Sequence, residues 1–283
     1  MSIARRDWLF AMTGAVLVFL VVLPLAAMLF DLLRLGLPVL GWEFLLGEPE
    51  NAGRAGGIFP LLVSTGWILL VCLAVSVPVG LGCAVFLSEW LPPQSTLSRG
   101  IGLSLDALSG VPSIIFGLFG YQVFAITLGM GFSILSGGLA LACMVLPFIV
   151  RTSQQALSAV PDSYRQAARA LSLSRTGMLW RVVLPSASPG IAAGVVLATG
   201  RALGETAVLI FTAGYVMRQP GSVLDSGRAL AVHIYDLATN VTGGTGHGAA
   251  TALVLLALIL MATTGVRSGA GLWSRSMLEE KQQ

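Results

Sequence analysis

The stretch GRALGETA, residues 200–207, sets an arginine and a glutamate four residues apart inside an otherwise apolar run. On one helix Arg201 and Glu205 share a face one turn apart, so their side chains can meet. Counted from Pro189, Arg201 lies about 18 Å along that helix, a little past the middle of a hydrocarbon core about 30 Å thick. A lone arginine at that depth costs at least about 2.5–3.5 kcal/mol. Two arrangements compensate for it. A salt bridge neutralises both charges and staples neighbouring helices. Alternatively, the pair lines a route through the membrane, where the guanidinium fork offers two parallel donors to a tetrahedral oxyanion. In that arrangement, which we prefer, Glu205 holds Arg201 in place and keeps the anion from binding too tightly to leave.

A second concentration of chemistry is DSYRQAARALSLSRTGMLWRVVLP, residues 162–185, which holds four arginines in a chain only 10% charged. Asp162 is placed to cap a helix in which Tyr164, Ala167, Ala168 and Leu171 recur at i, i+3, i+4 and i+7 on one face. Arg165 and Arg169 fall on another face, one turn apart. SLSRT interrupts this helix, and a second amphipathic piece, GMLWRVVLP, ends at Pro185. One reading is a solvated loop whose arginines fix topology or touch anionic headgroups. The other is a docking element, because exposed alanines gain little unless a partner approaches them closely.

The elements that position these residues are membrane spans. Hydrophobic residues make up 55% of the 283, and mean hydropathy is +0.87. Apolar runs of the length needed to span cover about 8–30, 61–87, 101–126, 134–150, 190–211 and 248–266. The first is too long for a signal-peptide core. The third and fourth are divided only by the glycine-rich turn LGMGFS. The fold class expected is an all-α polytopic membrane protein, one permease domain over 8–273 between a short N-terminus, 1–7, and a tail, 274–283. With the N-terminus cytoplasmic, the inner segments hold eleven of the 16 basic residues and the outer loops hold Arg34, Arg54, Arg218 and Arg228. The positive-inside rule then puts both termini, and the loop 151–188, in the cytoplasm. That bias accounts for the net charge of +3 without a nucleic-acid partner.

Other residues have plainer readings. Cys72, Cys83 and Cys143 lie in apolar segments without metal-ligand spacing and read as buried thiols. His233 and His247 fall in the outer loop and read as surface or interface histidines. Asp106 falls near the inner interface, where its charge need not mean anything. Gly110, Ser113, Gly117 and Gly120 in GVPSIIFGLFG give small surfaces for helix packing. Pro112 frees a backbone carbonyl, which suits a wall of protein or water, so packing and pathway lining stand equally for this segment.

QAARALS (166–172), followed nine residues later by VVLP (182–185), resembles the EAA loop of ABC-importer permeases, which has the pattern EAAxxxG, nine residues, then IxLP. Gln166 replaces the glutamate of that pattern, exchanging an ion pair for a neutral hydrogen bond weaker by about half. Ser172 replaces the glycine and is less tolerant of a left-handed backbone. LSGVPSIIFGLFG, LPFIVRTSQQALSAVP, RVVLPSASPGIAAGVVLATGRALGETA and ALAVHIY, in that order, are similar to the phosphate-specific importer permeases, and the short outer loop GEPENAGRAGGIFP to their PstA-type subunits. The likeness runs over nearly the whole chain from the second span onward.

The resemblance implies a six-helix type I importer permease bundle in a bacterial inner membrane. Its coupling loop, here Tyr164, Arg165, Gln166, Ala167, Ala168, Arg169, Leu171 and Ser172, would dock on an ATPase. Arg201 and Glu205 match the family's pathway pair by motif and spacing, and Ser113 is the further pathway candidate. The implied partners are a PstC-like permease subunit, two copies of a PstB-like ATPase, and a PstS-like phosphate-binding protein outside; Trp42, Glu43 and residues 218–247 read as exposed outer segments that could receive it. No cofactor is expected on this chain. ATP and Mg belong on the ATPase, since the only lysine, Lys281, stands in no P-loop. The chain is therefore not expected to be an enzyme. An ABC permease for another oxyanion or small solute is the nearest alternative. A stand-alone secondary transporter or channel would show internal repeats, and none is evident. A membrane enzyme would need a constellation beside Glu205 that the spans do not hold.

Overall fold

The computed structural model describes residues 3–92 and 95–279. Helix α1 runs Ile3–Gly36 and is followed by the short α2 (Trp42–Leu46) and a two-stranded antiparallel hairpin, β1 (Pro49–Glu50) with β2 (Ala55–Gly56). Then come α3 (Phe59–Val85), prolonged by a wide turn to Trp90, and α4 (Thr96–Ser109). Next are α5 (Ser113–Gly120), prolonged to Thr127, and α6 (Ile134–Ser158). The coupling region holds α7 (Asp162–Ala170) and α8 (Arg175–Met178), which runs on through residues 179–183 into α9 (Leu184–Leu203). The chain closes with α10 (Ala207–Thr212), α11 (Leu230–Thr239) and α12 (Thr245–Glu279).

Helix α6 is the axis of the bundle, packing most closely on α3 and α9. Two-thirds of its most apolar stretch is buried (67%), whereas none of the most apolar stretch of α1 is (0%), and α1 packs mainly on α12, where its Gly36 is buried. One buried cluster, including Cys72, Ile134, Leu141 and Val208, fills the middle. A second, around Leu87, Leu157, Met178 and Val183, lies at the end that carries α7. A third joins Phe44, Leu61 and Leu230 at the opposite end. Ser133 caps α6 by accepting from the Ser136 amide at 3.1 Å, which supplies one of the partners a helix start lacks. Close approach needs glycine at two contacts. A Cβ on Gly120 would lie 2.4 Å from the Ala140 Cβ, and one on Gly194 would lie 2.4 Å from the Thr152 hydroxyl oxygen. Small residues let backbones meet in this way in membranes.

Several expected spans are redrawn. Five helices are long and apolar enough to cross a membrane, and α4 with α5 makes a sixth only as a bent pair turned through 99°. The straight span expected over 101–126 is therefore broken. Pro112, at the N-cap of α5, has no amide to give, and the residue before it disfavours helical geometry. The fourth span reaches Ser158, well past 150. The fifth is one 29-residue helical run, Arg175–Leu203, so GMLWRVVLP is not a separate helix ending at Pro185. A proline near a helix start needs no amide partner, and Pro189 is accommodated farther along. The tail expected over 274–283 is helical to Glu279, and residues 280–283 lie outside the described residues, as do 1–2 of the N-terminal segment.

His233 is not a surface histidine. It is 1% exposed, its ring sits where a side chain on Gly53 would fall, and its Nδ1 lies 3.4 Å from the Arg228 guanidinium. Burial first, then the Arg228 charge, pushes its imidazole down to about 4. Arg228 is buried as well, bonded to Asp236 at 2.9 Å and to the Tyr215 carbonyl at 3.0 Å. This cluster ties the segment before α11 to the hairpin.

Candidate substrate pathway and coupling surface

Two helix breaks lie close together on an exposed side of the bundle. One is the turn of residues 110–112 between α4 and α5. The other is 204–206, where α9 ends at Leu203 with Gly204 as C-cap and α10 restarts at Ala207. Helices α5 and α10 are packed together, and a Cβ on Gly117 would lie 3.0 Å from the Ala207 carbonyl oxygen. Arg201 stands in the last turn of α9, while Glu205 stands in the break itself. The expectation of one continuous helix with the two side chains a turn apart is thus corrected, and the expected contact with it. Four ion pairs occur among the described residues, and Arg201 is in none of them.

Glu205 instead lies near both Ser113 and Arg201, whose charge acts on it. Ser113 opens α5, so the two breaks bring together three residues from segments far apart in sequence. Arg201 is exposed at the surface of the isolated chain and Glu205 is half-buried. The small residues of GVPSIIFGLFG divide between the two readings. Gly117 and Gly120 are packing surfaces, whereas Gly110 lies at the bend and Ser113 opens α5 near the glutamate.

Below the first break, Asp106 of α4 bonds Arg151 of α6 at 2.5 Å, and Arg151 also donates to the Gly102 carbonyl at 2.7 Å. Asp106 is thus paired with Arg151 while its side chain stays 64% exposed.

The coupling segment also departs from its expected layout. The N-cap of α7 is Pro161, with no side-chain cap bond. Asp162 occupies the first turn instead, where a carboxylate complements the helix dipole, and lies 3.6 Å from Arg165. The face expected from Tyr164, Ala167, Ala168 and Leu171 is split. Ala168 is buried, but Tyr164 is 50% exposed and Leu171 75% exposed. Arg165 turns inward, bonding Glu89 at 2.8 Å and donating to the carbonyls of Leu157 and Val160. Gln166, Ala167 and Arg169 stay exposed. Tyr164, Gln166, Ala167, Arg169 and Leu171 thus remain available to a partner, whereas Arg165 and Ala168 fasten the segment to the bundle.

Ser172 ends α7 with φ +55°, the left-handed geometry glycine adopts freely. Ser172→Gly is expected to stabilise the turn by about 0.5–1 kcal/mol, read as a raised midpoint of thermal unfolding. An unchanged or lowered midpoint would contradict a strained serine.

Sequence reasoning missed Glu89. It lies in LSEW at the end of α3 as an acid just past a long apolar run, but nothing local names Arg165, 76 residues on, as its partner.

A family model described as binding-protein-dependent transport system inner membrane component matches residues 76–267. The chain belongs to this family. Among curated members, the probable ABC transporter permease protein YqgI of Bacillus subtilis is 33% identical over 217 residues, covering 72% of this chain and 74% of that one. The phosphate transport system permease protein PstA 2 of Mycobacterium tuberculosis is 31% identical over 247 residues, covering 85% and 80%. Among solved structures, a permease chain of a bacterial alginate ABC transporter, crystallised with its ligand-bound periplasmic protein, superposes with a TM-score of 0.65 at 17% identity, covering 94% of this chain and 96% of that one. A chain of the MetNI methionine ABC transporter gives 0.59 at 18% identity, covering 77% and 94%. These neighbours establish the fold as that of ABC importer permeases. As a member of the inner membrane component family, the chain is a multi-pass importer permease, and the match takes in both helix breaks and the whole coupling segment.

Proposed function

We propose that this permease carries inorganic phosphate as one half of a translocation pathway. A PstC-like subunit would supply the other half, a PstS-like binding protein would deliver the anion, and two copies of a PstB-like ATPase, holding ATP and Mg, would drive the cycle. Hydrolysis would thus lie off this chain. Both termini and α7 lie on the cytoplasmic side in this reading, which the distribution of arginine supports.

The observation that carries the proposal is Arg201, exposed on the isolated chain and free of any ion pair among the described residues, beside Glu205 and Ser113 at two neighbouring helix breaks. A guanidinium within a span is disfavoured against lipid and belongs on a water-filled or protein-covered face. Irregular backbone at that depth is subject to the same restriction. An arginine fork suits a tetrahedral anion. The Glu205 carboxylate beside it limits how tightly the anion is held, and Ser113 orients that carboxylate. The relatives described as phosphate transport permeases support this choice of anion. At the other end, Tyr164, Gln166, Ala167, Arg169 and Leu171 form the surface an ATPase would cover; an apolar side chain as exposed as Leu171 at a polar end is what a docking surface supplies.

The test is uptake in proteoliposomes holding this chain with its candidate partners. Phosphate uptake that requires the ATPase and the binding protein, and that sulfate does not outcompete, is the expected result. Uptake without the ATPase would refute the importer reading, and preference for another anion would refute the choice of phosphate.

A further inference from the structure

The end of the bundle that carries α7 holds a feature that the pathway does not use and that shares only Arg169 with the docking surface. Between α7 and the last turn beyond α3, an open cleft of about 450 Å³ is lined by Ser88, Glu89, Trp90, Arg165, Arg169 and Arg175, among others. Its charges do not cancel. The Glu89 carboxylate is committed to Arg165. Arg175 donates to the Glu89 backbone carbonyl and stacks over the Trp90 ring at 5.4 Å, and neither contact carries a full negative charge. Arg169 is exposed and takes part in none of the ion pairs among the described residues. Two guanidinium charges are therefore unneutralised at one cleft.

Two further observations point to a ligand. The Ser88 hydroxyl, in the same wall, is buried without a hydrogen-bond partner, a state that buried polar groups rarely keep. Trp90 closes the apolar run Phe59–Trp90, the level at which hydrocarbon gives way to headgroups and where tryptophans collect. An anion at that depth is most abundantly the phosphate of a lipid.

We propose that this cleft binds the phosphate of an anionic phospholipid headgroup. Arg169 and Arg175 clamp it by charge, and the Ser88 hydroxyl donates to a phosphate oxygen. Through this contact the charge of the bilayer acts on the packing of the coupling segment against α3. Arg169 belongs to the docking surface too, so the decisive variants are at Arg175 and Ser88, which lie outside it.

Native mass spectrometry of the assembled transporter, released from nanodiscs of mixed phosphatidylcholine and phosphatidylglycerol, reads the site without reference to any transported solute. Its outcome is thus separate from that of the uptake assay. Wild type is expected to retain phosphatidylglycerol in preference to phosphatidylcholine. Arg175→Ala is expected to lower that retention about fivefold, the contribution of one basic residue near a membrane surface. Ser88→Ala lowers it less, Arg175→Lys keeps most of it, and Arg54→Ala, at the opposite end, leaves it unchanged. Undiminished retention in Arg175→Ala overturns the proposal. If Arg175→Ala does not assemble, Ser88→Ala decides, and full retention there overturns it equally. Displacement of the lipid by excess inorganic phosphate would show a site for the free anion and overturn the lipid assignment.

Discussion

Arg201→Ala is expected to reduce phosphate uptake by about two orders of magnitude or more, the scale on which a positioned charged donor to an oxyanion acts, while the transporter still assembles. Assembly survives because Arg201 takes part in no ion pair and its side chain is not part of the buried core. Arg201→Lys keeps the charge but loses the planar fork, so it should recover only part of the uptake. Size-exclusion chromatography of the complex beside uptake in proteoliposomes separates the outcomes. An Arg201→Ala variant that fails to assemble would assign the residue a structural role. One that assembles and transports normally would remove it from the pathway.

The second large effect is expected at Glu89. Its side chain is 7% exposed and that of Arg165 is 14% exposed, with 2.8 Å between them. Glu89→Ala leaves the Arg165 guanidinium with only the exposed Asp162 carboxylate, 3.6 Å away, as counter-charge, so the loss is expected at or below the about 3–5 kcal/mol of a fully buried pair. The cost falls on the attachment of α7, so ATPase association is expected to weaken together with thermal stability. Replacing both residues removes the stranded charge, and the double variant should be more stable than Glu89→Ala alone. With Arg165→Ala as the other single variant, a double variant whose loss of stability equals the sum of the two single losses would mean that the pair is not coupled. Loss of stability without loss of ATPase association would separate α7 from docking.

Most of what made this chain recognisable was local. The apolar runs gave the spans, and the spacing from Gln166 to Pro185 gave the coupling segment. GRALGETA placed a charge pair where only function or pairing would keep one. What stayed hidden depended on breaks and long-range partners. Pro112 after Gly110, and Gly204 before Glu205, are ordinary helix-stopping signals, yet in apolar segments they compete with a membrane that demands continuous helix, and periodicity does not decide which wins. Ser113 and Glu205, or Arg165 and Glu89, meet only because α5 and α10, or α7 and α3, are packed side by side. His233 read as a loop histidine because its burial comes from the hairpin and from Arg228, neither adjacent in sequence. In contrast, the left-handed backbone at Ser172 was legible from one substitution in a short motif.

The unbroken run from Arg175 to Leu203 has a mechanical consequence. Arg175 sits beside the surface assigned to the ATPase, and Arg201 stands 26 residues farther along the same helix, about 39 Å away at 1.5 Å per residue. A rod of that length transmits displacement without storing it, so a rocking of about 10° around its centre carries each end roughly 3 Å in opposite senses. That stroke exceeds the tolerance of a hydrogen bond. A thrust delivered at α7 and α8 would therefore be enough, by leverage alone, to make or break the hold proposed for Arg201 on an anion, while the discontinuity at Gly204 would spare α10 from following.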